Sequence, residues 1–117
     1  MTPDELKKRT KRFALRIIRL VNSLPETKAA QTIARQVLRS GTSVGANYRA
    51  ACRARSPAEF CAKVGIVEEE ADETAYWLEL LIESELVAED MLSDLLAEAN
   101  ELVAIAVASI RTARPVS

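Results

Sequence analysis

Four arginines, Arg35, Arg39, Arg49 and Arg53, fall within one narrow arc when their stretch of chain is turned at about 100° per residue. A guanidinium presents a flat fork of donors, which suits the phosphates of a nucleic acid or the carboxylates of another protein. Upstream, Lys7, Lys8, Lys11 and Arg12 enlarge the basic set, and the eight together could neutralise several phosphates. The same pattern is also that of a solvated helix face, and a partner surface is the sharper of the two readings. On the flank of this stretch lie Gln36, Ser40, Ser43 and Asn47, spaced four, three, four. Amides and hydroxyls at such boundary positions suit interhelical hydrogen bonds that fix register, with Glu70 and Thr74 as possible acceptors.

Other constellations fail as catalytic sites. The run Glu68, Glu69, Glu70, Asp72, Glu73 suggests a dimetal carboxylate centre, but such centres in helical bundles pair Glu with His three residues on. The chain contains no histidine, which also removes Ser/His and Cys/His nucleophile pairs. Those carboxylates are read as a solvated or intersubunit face. Cys52 and Cys61 have no zinc-pair spacing and make no disulfide framework, so they are expected as reduced, packed thiols. No glycine-rich phosphate cradle is present. The expectation is a protein that is not an enzyme, with no catalytic residues, no metal, no cofactor and no small-molecule substrate.

The charge is sorted by position. Residues 1 to 63 carry 14 Lys/Arg and 4 Asp/Glu, and residues 64 to 117 carry 2 and 13, so a net charge of -1 conceals poles of +10 and -11. Fields of that size steer association. Opposite poles on one chain predict head-to-tail contact between copies, which closes into a ring where the rotation fits. The segment Met1 to Thr10 is rich in charge and has no apolar run, and no stretch nears the roughly 18 apolar residues needed to span a bilayer, which predicts a cytoplasmic chain with no membrane partner.

The elements that must position these residues are helices. With 117 residues, 49% hydrophobic and only three glycines, the composition predicts one all-α domain over 1-117. Leu6, Thr10, Phe13, Ile17, Leu20 and Leu24 form the seam of a first helix over about 4-24, with Ala14, Ile18 and Val21 widening it. Ala30, Ile33, Val37, Gly41, Val44, Tyr48 and Ala51 continue a second over about 27-54. That period survives Ser40 to Gly45, favouring an unbroken helix in which small residues admit a close neighbour, with a break at Gly41 as the alternative. Ser56, Pro57 and Glu59 mark the start of a third helix over about 57-84, with Tyr76 and Trp77 off its seam. A fourth runs over about 88-113 and ends before Pro115. Short connections make this an up-down-up-down antiparallel four-helix bundle.

The segment Gln36 to Asn47, with Gln36, Arg39, Ser40, Ser43 and Asn47 as its most specific positions, followed by Ser56 to Phe60 and an acidic third helix, resembles the four-helix-bundle family of 23S rRNA intervening-sequence proteins. Relatives of that family include the accessory protein of diversity-generating retroelements. Ala50-Ala51 stands where the resemblance would put Glu-Gly. The resemblance spans nearly the whole chain and implies ring-like homo-oligomers, pentamers, built from laterally packed bundles. It implies no established enzyme activity, with RNA or a ribonucleoprotein as the suspected partner. The retroelement protein is markedly basic and this chain is not, which moves weight from nucleic acid toward self-assembly.

Overall fold

Why each helix starts where it does is visible in its first turn. In the computed structural model, which describes residues 1–114, α1 spans Pro3–Ser23, α2 Lys28–Ala51, α3 Pro57–Glu83 and α4 Glu89–Ala113. Thr2 and Glu5 form a reciprocal capping box ahead of α1, with Pro3 in the first turn, where its missing N–H costs nothing. The Thr27 hydroxyl accepts from the Ala30 N–H at 3.2 Å, and the Ser56 hydroxyl accepts from the Glu59 N–H at 3.0 Å. Glu59 closes its turn one residue early, accepting from the Arg55 N–H. Ala88 offers α4 no side-chain cap, and Glu89 and Asp90 supply the negative charge that its N-terminus favours.

Helix α2 is continuous through Gly41 and Gly45. Its end differs from the expected one: it stops at Ala51, and Arg53 lies in the turn beyond the Cys52 cap. The α3–α4 turn is a Schellman motif in which the Leu86 N–H donates to the Leu81 carbonyl and the Glu85 N–H to that of Ile82. Glu85 takes the left-handed conformation this motif requires, with φ 62°. Pro115, expected to end α4, lies outside the described residues.

The four helices pack antiparallel into a rod of 50 × 22 × 19 Å, each against its sequence neighbour. Phe13, Ile17, Val37, Val44, Leu78, Leu81 and Leu102 fill the centre. The α1–α2 pair approaches tightly at Gly41 and Gly45, which lie against Ile17 and Thr10. By contrast α1 and α4 meet sparingly, and Arg9 closes that seam. Its guanidinium donates to both Glu98 carboxylate oxygens at 2.7 Å and to Glu101 at 2.9 Å. This bidentate pair is the strong form of an ion pair, and the sequence reading did not single it out.

The Arg9 hydrogen bonds hold the Glu98 carboxyl below the usual carboxylate range. A depressed carboxylate contributes stability above its unfolded pKa, lost as pH falls through the folded one. Arg9→Met is therefore expected to lower the unfolding midpoint at pH 7. The gap to the parent should narrow between about pH 5 and pH 2. Equal gaps at pH 7 and pH 3 in urea titrations would contradict this assignment.

Candidate partner and nucleic-acid surface

The eight basic residues singled out in the sequence do not form one site. Lys7, Lys11 and Arg49 come together along a groove of about 190 Å³ on the outside of the α1–α2 seam. Thr10, Ala14, Thr42, Gly45 and Ala46 complete its lining, and no carboxylate is among them. The groove exists because glycine and alanine leave it unfilled, and the cations border it because α1 and α2 carry base on adjoining flanks. Lys8, Arg12, Arg35 and Arg53 are exposed but lie outside it.

Arg39 is exposed like the rest of the expected solvent-facing stripe, but its charge is engaged within the chain. Although it stands in the arc of Arg35 and Arg49, its guanidinium crosses to α3, reaching Glu70 at 3.2 Å and joining Glu73. Glu73 also accepts from the Trp77 indole N–H at 3.0 Å, and Trp77 meets the Tyr76 ring edge-on at a centroid distance of 5.1 Å. Arg39 thus belongs to the α2–α3 seam. The sequence named Glu70 as an acceptor, but assigned it to the polar stripe and not to this arginine.

The polar stripe is partly as expected. Ser40 and Thr74 are fully buried with their hydroxyls 2.9 Å apart, and Thr74 Oγ1 also lies 2.7 Å from the Glu70 carbonyl. That contact crosses between helices and fixes register. The other three residues serve their own helix: Ser43 donates to the Arg39 carbonyl, Asn47 donates to that of Ser43, and the Gln36 amide oxygen lies 3.4 Å from Arg39 Nε. Only Gln36 influences the seam, and it does so through Arg39. Position on the helix is the reason: Ser40 is buried against the Thr74 side chain of α3, whereas Ser43 and Asn47 lie on the half-buried flank.

A larger open hollow of about 530 Å³ sits at the bundle end, lined mainly by Leu6, Tyr48, Phe60, Ile105 and other apolar groups. Burial pushes the Tyr48 phenol above its ordinary pKa, with the Cys52 thiol adding to the shift, so the ring stays protonated at neutral pH. Cys52 and Cys61 are half-buried free thiols, and Cys61 lies against the Ile110 carbonyl at 3.8 Å. Among the described residues no cluster of three or more His, Cys, Asp or Glu could hold a metal, and no helix is long and apolar enough to cross a membrane.

Comparisons with known proteins agree with this architecture. No curated protein matches the chain. A solved structure from Bacteroides thetaiotaomicron VPI-5482, a protein of unknown function in the S23 ribosomal protein family, is 36% identical and superimposes with a TM-score of 0.87. The alignment covers 95% of this chain and 99% of that one. The sequence signature of the 23S rRNA-intervening sequence protein matches residues 4–108, so this four-helix chain belongs to the 23S rRNA-intervening sequence protein family.

Proposed function

We propose that this chain is a non-enzymatic interaction protein that assembles with copies of itself into a ring, five being the number the resemblance implies. One observation carries the reading: the two charge poles are left almost unneutralised within the chain. Among the described residues the cations held in salt bridges are Arg9 and Arg39, out of 16 Lys and Arg in the sequence. The remaining base of α1 and α2 and the remaining acid of α3 and α4 are available to a neighbour of opposite sign. A cytoplasmic setting fits two cysteines kept as thiols. Light scattering at low and high salt is the test. The expected result is a multiple of the 12.9 kDa chain at low salt that loosens as salt rises. A monomer under both conditions discards the reading.

The α1–α2 groove favours a second reading, RNA binding through the phosphate backbone, because three cations border a cleft without a carboxylate. The same samples then retain structured RNA at about 50 mM salt and release most of it by about 200 mM. No retention at the lower salt discards it.

A further inference from the structure

Exposed apolar side chains scattered singly are ordinary on a protein surface. On this molecule they are not scattered. On α3, Ala62, Ile66, Glu69, Glu73, Tyr76 and Leu80 follow one another at four, three, four, three, four. That is a second helical stripe, separate from the buried seam of Val64, Val67, Ala71, Thr74, Leu78 and Leu81. Ile66 is 36% exposed and Tyr76 54%. Tyr76 does not turn back into the bundle; its ring rests on the edge of Trp77, which the Glu73 carboxylate holds in place. The stripe is mixed: Ile66 and Tyr76 are its large exposed apolar members, Glu69 and Glu73 lie between them, and Glu73 is held by Arg39, so the face offers apolar contact and acid together.

Helix α1 carries the complement. Lys11, Leu15, Ile18 and Asn22 are spaced four, three, four, with Leu15 45% and Ile18 38% exposed. Ile18 was expected to widen the core seam, but it faces outward. The borders of the two stripes are charged oppositely. Lys8, Arg12 and Arg19 flank the α1 stripe, and α1 has no acidic residue after Glu5. Asp72, Glu79 and Glu83 flank the α3 stripe, and α3 has no basic residue after Lys63. In this bundle α1 and α3 are packed against α2 and α4 and not against each other. The two stripes therefore cannot meet within one chain.

We infer that the α1 stripe centred on Leu15 and Ile18 docks on the α3 stripe centred on Ile66 and Tyr76 of a second copy of this chain. The inference rests on the self-assembly proposed above and assigns its contact faces. Leu15 and Ile18 pack beside Ile66 and Tyr76, and Lys and Arg of α1 meet the Asp and Glu that lie among and beside them on α3, so the contact combines apolar burial with opposite charge. Such a contact is heterologous: each copy uses one face to give and a different face to receive, so it propagates from copy to copy until a ring closes.

That property gives a test which a symmetric contact would fail. Leu15→Glu places acid on the α1 stripe, opposite acid, and leaves the α3 stripe intact. Ile66→Glu places a charge among the apolar side chains of the α3 stripe, opposite Leu15 and Ile18, and leaves α1 intact, so the two altered faces are both acidic and cannot pair with each other. Each variant alone is expected to be monomeric in light scattering with its helical circular dichroism retained, since both positions are exposed. Mixed in equal amounts and followed up to the highest soluble concentration, the two are expected to form a 1:1 dimer that grows no further. Ile18→Glu with Tyr76→Glu is an independent pair on the same stripes. An assembled parent whose variants assemble equally well overturns this placement alone, as does a mixture that stays monomeric. A monomeric parent overturns both the placement and the proposed self-assembly.

Discussion

Gly41→Val is expected to destabilise the bundle by roughly 3 kcal/mol, the upper end of the overpacking range, and to lower the melting temperature by about 12 °C at about 4 °C per kcal/mol. Even a single Cβ at Gly41 would lie 2.8 Å from Ile17 Cγ1 and 3.0 Å from its Cγ2. Ile17 is fully buried, so it has nowhere to move without disturbing the core. Valine adds two more carbons to that clash. The other glycines calibrate the effect. Replacing glycine by alanine in a helix gains about 1 kcal/mol where space permits. At Gly65 a Cβ would meet nothing within 4 Å, so Gly65→Ala is expected to stabilise by about that amount. At Gly45 the nearest Thr10 atoms lie at 3.2 to 3.4 Å, one of them backbone, so Gly45→Ala should be close to neutral. Adding Ile17→Ala to Gly41→Val should recover part of the loss, because the two side chains compete for one space. Thermal unfolding at fixed protein concentration measures the series, the fixed concentration being needed because assembly itself shifts a melting point. A Gly41→Val melt within a few degrees of the parent would mean that the α1–α2 approach is not tight.

Thr74→Val is expected to cost about 1 to 3 kcal/mol, although it changes almost no volume. The Thr74 hydroxyl has two neighbours, Ser40 Oγ and the Glu70 carbonyl, whereas Ser40 has otherwise only the Val37 carbonyl at a poor 3.5 Å. Valine at 74 strands the Ser40 hydroxyl in a core that excludes water. Ser40→Ala leaves Thr74 still bonded to Glu70, and should cost no more than about 1 kcal/mol. The two changes are thus predicted to couple with an inversion of sign. Ser40→Ala destabilises the parent slightly but stabilises Thr74→Val, because it removes the stranded group. A double-mutant cycle in urea reads this directly, and additive costs would show that the two hydroxyls do not share a bond.

The order and extent of the helices were legible because their causes are local. Ser56-Pro57 and the four-three periods report on a neighbourhood of a few residues, and the structure places all four helices within a few residues of those bounds. Continuity through Gly41 was legible for the same reason, since the apolar period crosses it. Arg53 was misjudged because a wheel assumes the helix persists, and α2 ends at Ala51. Tyr76 and Trp77 were correctly set off the seam, but their stacking and the Glu73 bond were not foreseen. The groove of Lys7, Lys11 and Arg49 joins two helices whose mutual rotation no single-helix period contains.

The sequence by itself determined that this chain is four amphipathic helices in a hairpin series with base in one half and acid in the other. Spacing, caps and charge order are properties of the covalent chain and survive in any arrangement of it. Only the tertiary structure decided which charges meet. Arg39 had a whole row of α3 carboxylates within its reach along the chain, yet it joins Glu70 and Glu73, while Arg9 skips every nearer acid for Glu98 and Glu101. The axial register and rotation of packed helices set those choices. Contacts such as Gly41 against Ile17 and Ser40 against Thr74 fix that register, because side chains packed at this density admit one alignment of neighbouring helices.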